Sequence, residues 1–286
     1  MMELTAQHLS ELRQAKILLE RPSLVARITD AIGTPIEIGF GMLPEKWAQS
    51  VHQAVHFSLT RALQMSIRSL DARPAEGVRR GLHNLAVVAT GATGGAFGLA
   101  GVAVELPIST TIMLRSIAAI GRSEGEDLSI PESRLSCLEV FALGGRSAAD
   151  DASETGYFAV RSALAKSVTE AARHIAQKGM IDAGAPALVR FITAVGSRFG
   201  IVVTEKTAAM AIPAIGAAGG AIVNSIFINH FQDVASGHFV VRRLERAYGK
   251  EVVERAYRQI DVSMSSRAAK RAARRKPAAE AIVRKP

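Results

Sequence analysis

Residues 44–70 read PEKWAQSVHQAVHFSLTRALQMSIRSL. Trp47, Val51, Val55, Leu59, Leu63 and Ile67 recur every fourth position, and Leu70 follows three later. That spacing keeps the apolar side chains on one side of a 3.6-residue repeat and predicts an amphipathic helix of about seven turns. Pro44 suits its first turn, where the missing N–H is not needed. Working outward, Leu4–Glu20 and Ser23–Ile32 read as two shorter helices, the second stopped by Gly33 and Pro35, and GFGML at 39–43 reads as a loop. Downstream, GYFAVRSALAKSVTEAARHIAQKG predicts a helix stopped by Gly179, and Ala187–Phe199 another closed by Gly200. His230–Tyr248 predicts a basic helix broken at Gly249, and Glu251–Ile260 a short last one. No stretch sustains the alternation of a strand. The expected fold is all-α: one helical domain over residues 1–262, with Gly-rich apolar helices at its centre.

Hydrophobic residues make up 48% of the 286-residue chain and aromatics only 5%. The expected core is therefore Ala, Val, Ile, Leu and Gly. Two segments stand apart. Gly81–Val104 and Thr207–Asn229 contain no Asp, Glu, Lys or Arg. Both reach the length that crosses a bilayer as a helix. Gly91 with Gly95, Gly94 with Gly98 and Gly216 with Gly220 are small-xxx-small pairs that let helices approach closely. Against a simple span stand the low helix propensity of glycine, the interruptions at Pro213 and Asn224, and the mean hydropathy of +0.18. A buried hairpin of a soluble protein and a membrane-inserted segment both remain open.

The net charge of +9 sits at one end. From Ser263 to Pro286 eight basic residues face Glu280 alone, leaving 27 basic against 25 acidic residues elsewhere. The run is Ala, Arg, Lys and Pro, too poor in apolar residues to offset the entropy of ordering, and reads as a disordered basic tail over 263–286. Arg267, Lys270, Arg271, Arg274, Arg275 and Lys276 are its candidate anion-binding residues, for lipid headgroups or nucleic acid. It has no aromatic residue for base stacking. The polar N-terminus lacks the pattern of a secretory signal, and a single cysteine, Cys137, suits a reducing compartment; the expected location is the cytosolic side.

ELPISTTIMLRSIAAIGRSEGEDL at 105–128 resembles the signature of the EcsC family, as do CLEVFALGG at 137–145, AIPAIGAAGGAIVNSIFINHF at 211–231 and HFVVRRLERAYG at 238–249. The opening LLERPSLVARITDAIGTPIE is similar to the family's N-terminal region. The resemblance runs in order to about Ile260 and leaves out the tail. It implies a bacterial, membrane-associated protein of no settled activity, with an ABC-type exporter as one conceivable partner. It implies no catalytic residue and no cofactor.

From the residues themselves, Glu105 is the one acid between apolar stretches, and Arg115 is its expected ion-pair partner. His230, Asp233 and His238 share a helical stretch and, if Glu105 joined them, would form an acid/base or metal site. His52 and His56 lie one turn apart without a third ligand; Glu124, Glu126 and Asp127 lack the spacing of a calcium loop. No P-loop, nucleophile elbow or HExxH motif is present. The leading expectation is a non-enzymatic membrane-associated helper. The alternative is a soluble enzyme or ligand carrier with a pocket near Glu105, Arg115, Asn224 and His230.

Overall fold

The computed structural model describes residues 3–20, 23–69, 99–145, 156–178, 184–212 and 216–261. These residues form ten helices and no strand, so the fold is all-α: α1 (Ala6–Leu19), α2 (Leu24–Ile32), α3 (Glu37–Phe40), α4 (Trp47–Ser69), α5 (Leu99–Ser123), α6 (Pro131–Leu143), α7 (Gly156–Lys178), α8 (Pro186–Ala211), α9 (Gly216–Tyr248) and α10 (Lys250–Gln259). The tail, and the first uncharged segment up to position 98, lie outside the described residues.

Local chemistry sets the ends. The side chains of Thr5 and Ser23 accept hydrogen bonds from the His8 and Ala26 amides and cap α1 and α2. Gly33 closes α2 in the left-handed region, at φ +67°, where a Cβ would be strained. Pro131 and Pro186 open α6 and α8 at the first turn.

Three helices run further than the punctuation predicts. Helix α5 passes through Pro107 instead of starting after it, α8 passes through Gly200, and α9 runs 33 residues from Gly216 to Tyr248. A proline inside a helix costs about 3 kcal/mol and a glycine about 1 kcal/mol. Here each helix is long and half enclosed, so burial of its apolar face overrides the local signal.

Helix α6 lies at the centre, packed by α4, α5, α7, α8 and α9. Every residue from Ser133 to Leu143 is buried. Helices α8 and α9 contact most of the remaining elements. The core departs from the expected Ala/Val/Ile/Leu/Gly interior. Seven of the ten phenylalanines are buried among the described residues. Phe141, Phe199, Phe227 and Phe231 interlock with ring centroids 4.9–6.2 Å apart. Few aromatics suffice because they are concentrated at one crossing.

Two contacts tie α1 into the bundle. Lys16 is buried and donates to the carbonyls of Tyr257 and Ile260 at 3.0 and 2.8 Å, capping the C-terminal end of α10. At Gly237 of α9, a Cβ would meet Leu19 Cγ at 2.7 Å and the Ala15 carbonyl oxygen at 2.9 Å. Gly237→Ala should therefore destabilise by about 1–2 kcal/mol, since overpacking outweighs the better helix propensity of alanine. Urea unfolding checks this, and a stabilised variant would show that α1 yields freely.

Candidate functional site

Glu105 is ion-paired, but not with Arg115. Its carboxylate receives the Lys206 ammonium of α8 at 2.9 and 3.1 Å, with both side chains at most 5% exposed. The same ammonium lies 4.5 Å from the Phe227 ring centroid. Arg115 is exposed, ten residues along α5 and so about 15 Å from Glu105. Asn224 is buried on α9, one turn before Phe227. The suggested convergence of Glu105, Arg115, Asn224 and His230 on one pocket is not what the fold arranges: Glu105 is closed on Lys206, and Arg115 faces outward.

The second constellation also separates. His230 donates from Nε2 to the Gly144 carbonyl at 2.8 Å, fastening α9 to the end of α6. Asp233 reaches Arg27 of α2 at 3.6 Å. His238 is fully buried and shares a 2.9 Å hydrogen bond through Nδ1 with the Tyr157 hydroxyl. Burial, helped by Arg161 and Arg242, holds its imidazole well below the usual pKa, so it is neutral at pH 7. These three side chains serve three different helix contacts. Among the described residues no group of three or more His, Cys, Asp or Glu is arranged to hold a metal ion. His52 and His56 are exposed on α4. Cys137 is buried, and burial pushes its thiol up to about 12, which removes it from thiolate chemistry.

The acidic run after α5 is the anchor of an arginine network. Glu126 accepts a bidentate pair from Arg242 at 2.8 and 3.0 Å, a further hydrogen bond from Ser133 at 2.9 Å, and one from Arg246. Burial alone would raise its pKa; the hydrogen bond and charge of Arg242, with Ser133 and Arg246, outweigh burial and hold the carboxyl below its ordinary range. Arg243 bridges Glu124 and Glu11 at 2.7 and 2.8 Å. Arg161 grips Glu245 with two bonds of 2.7 and 2.9 Å. Arg161, Glu245, Arg242 and Arg246 border a cleft of about 480 Å³ between α6, α7, α9 and α10. Glu139 lines it, and burial, partly offset by Arg161 and Arg242, raises its pKa. Most of the cleft's arginines are thus committed to carboxylates of the protein itself.

The outer surface carries a different signal. Ile38, Phe40 and Met42 are 50%, 40% and 47% exposed, three large apolar side chains within five residues of α3 and the turn after it. The uncharged stretch Ile38–Pro44 is bounded by Glu37 and Glu45. Gly39 explains how the exposed side chains are held out. It sits against α8 so closely that a Cβ would come 1.9 Å from the Ala208 carbonyl oxygen, while Ile36 is fully buried. The backbone is clamped and its side chains project outward. The alternation of glycine with large apolar residues in IGFGM was the available signal for this surface; a loop reading passes over it.

Two described helices are long and apolar enough to cross a membrane, Val104–Ser123 and Pro186–Ala211. The first is 67% buried over its most apolar window. The second turns Arg190, Thr193 and Ser197 outward. Of Thr207–Asn229, the described residues pack Val223, Phe227 and Ile228 inside the bundle and leave Ile222 48% exposed.

Neither the curated proteins nor the solved structures contain a match to this chain. The model of the EcsC protein family does match, over residues 6–244, from the first turn of α1 to near the end of α9. The chain belongs to the EcsC protein family.

Proposed function

We propose that the chain is a non-enzymatic helper that docks peripherally on an anionic membrane at its cytosolic face. The observation that carries this reading is the clamped apolar projection Ile38, Phe40 and Met42. Three large apolar side chains clustered on a fixed backbone in water mark a surface that meets an apolar phase or partner. Inserted at the headgroup boundary, they would exchange that exposure for apolar surroundings. The basic tail, with Arg267, Lys270, Arg271, Arg274, Arg275 and Lys276, supports the same reading by charge. An integral partner such as an ABC-type exporter would meet the same face of the protein.

The buried ionic groups support a non-enzymatic role. Glu105, His230 and His238 are each closed on a partner inside the protein and face no common space. Fractionation of expressing cells tests the proposal. The full chain should sediment with membranes, and deletion of 263–286 should weaken binding most at low salt. Ile38→Ser, Phe40→Ser and Met42→Ser together should weaken vesicle binding roughly thirtyfold, from about 2 kcal/mol of lost apolar burial. Recovery of the unaltered chain wholly in the soluble fraction, without affinity for anionic vesicles, rejects it.

A further inference from the structure

A second surface feature carries more chemical detail. Helices α4 and α5 form between them a groove of about 580 Å³, lined by Phe57, Arg61, Val104, Ile108, Ile112 and Arg115, with Pro107 and Thr111 completing it. Its apolar residues are open to solvent: Phe57 is 55% exposed, Val104 69% and Ile108 45%. Arg61 and Arg115 are exposed as well, and neither forms an ion pair or hydrogen bond among the described residues. Among the described residues no carboxylate lines the groove. The acid nearest in sequence, Glu105, is buried and neutralised by Lys206.

The sequence builds this arrangement simply. Ile108, Ile112 and Arg115 fall at positions i, i+4 and i+7 of α5, and Phe57 and Arg61 at i and i+4 of α4. Each helix therefore presents an apolar residue one or two turns from a guanidinium, and the two stripes face one groove. By contrast, the exposed Arg190 is spent on Glu170, and the half-buried Arg243 on Glu124 and Glu11.

We infer that this groove binds a single anionic phospholipid, with the phosphate between Arg61 and Arg115 and an acyl chain along Phe57, Val104 and Ile108. Charge complementarity decides the occupant. Two exposed guanidiniums, with no carboxylate beside them among the described residues, select a negative head, and planar donors suit phosphate oxygens. The apolar floor selects a molecule with a hydrocarbon portion, which excludes a free anion as the preferred ligand. The inference deepens the membrane reading above, adding recognition of one headgroup to docking by α3.

The test uses the full chain and dihexanoyl-phosphatidylglycerol below its micelle concentration, with dihexanoyl-phosphatidylcholine and inorganic phosphate as comparisons, followed by calorimetric titration. The phosphatidylglycerol should bind at least about tenfold more tightly than either comparison, and Arg61→Gln with Arg115→Gln should remove at least about tenfold of that affinity. Because both arginines are exposed and pair with nothing among the described residues, the double variant should keep its thermal midpoint. Ile108→Ser should weaken phosphatidylglycerol binding and leave the weak phosphate binding unchanged. Equal affinity for inorganic phosphate would overturn the lipid as occupant. Unchanged lipid binding in the arginine variant would overturn the site. Absent lipid binding together with a lowered thermal midpoint in the variants would overturn it too, showing the groove to be covered by the chain itself. If the unaltered chain floats with vesicles while the groove fails these tests, only the groove is rejected. If it binds the short lipid through Arg61 and Arg115 but never vesicles, the groove stands and membrane docking fails.

Discussion

Lys206→Met is expected to lower the unfolding free energy by about 3–5 kcal/mol, because it leaves the Glu105 carboxylate buried without its countercharge. Both partners are almost free of solvent, at 2% and 5% side-chain exposure, and the ammonium donates to both carboxylate oxygens. Methionine fills most of the apolar stem of the lysine, so lost packing contributes little, while the cation–π contact of Nζ with Phe227 is lost along with the ion pair. Pairing it with Glu105→Gln should recover part of the loss, since a neutral amide is less costly to bury than an unpaired charge. A double-mutant cycle measured by urea unfolding gives the coupling directly. A single-variant loss below about 1 kcal/mol would mean that water reaches the pair. The cycle also bears on function: a Glu105 held this firmly is a bolt between α5 and α8 and not an acid available to a substrate.

Glu126→Gln is the second large effect, with an expected loss of about 3 kcal/mol at neutral pH. The carboxylate is 2% exposed and gathers Arg242, Arg246 and Ser133. Charged hydrogen bonds of this kind contribute about 1.5–3 kcal/mol each, and Arg242 and Arg246 are partly solvated, at 22% and 42% exposure, which limits the total. The pH dependence has a defined sign. The folded carboxyl titrates below its unfolded value, so its stabilisation is complete above the unfolded pKa of about 4.3 and disappears as pH falls through the lower folded value. Unfolding curves of the unaltered chain and of Glu126→Gln should therefore diverge above about pH 5 and converge in acid. A stability gap that fails to close as pH falls below the folded value, or no gap at neutral pH, would remove Glu126 from its central place.

The network also shows what the sequence could and could not convey. Helix α7 is readable nearly to the residue, because Gly156 and Gly179 bracket a clean 3.6-residue pattern. Helix α4 is equally plain. Helices α5, α8 and α9 outrun their proline and glycine signals because enclosure in the bundle outweighs local propensity. Glu105 is legible as a buried acid that needs a partner, but Lys206 is 101 positions away, beyond any local spacing rule. The same distance problem hides Arg242 and Arg246 from Glu126, 116 and 120 positions apart. His230, Asp233 and His238 share a helix but each turns to a different neighbour, so proximity in sequence suggested a site that the packing distributes among three contacts. Arg115 shares a spacing set with Ile108 and Ile112 that the sequence shows, but that it faces solvent and leaves Glu105 to Lys206 needs the fold.

Membrane docking by α3 is the claim on which the functional account rests, and a fluorophore placed there tests it most directly. Cys137 is buried and its thiol is pushed up to about 12, so Phe40→Cys supplies the one readily labelled position. Ser197→Cys serves as the comparison, eleven residues and about 16 Å along α8 from Ala208, where α3 is clamped. With phosphatidylglycerol vesicles, a polarity-sensitive dye at position 40 should shift to the blue while the same dye at 197 stays unchanged. Emission at position 40 that remains that of water at saturating vesicle concentration would contradict the account.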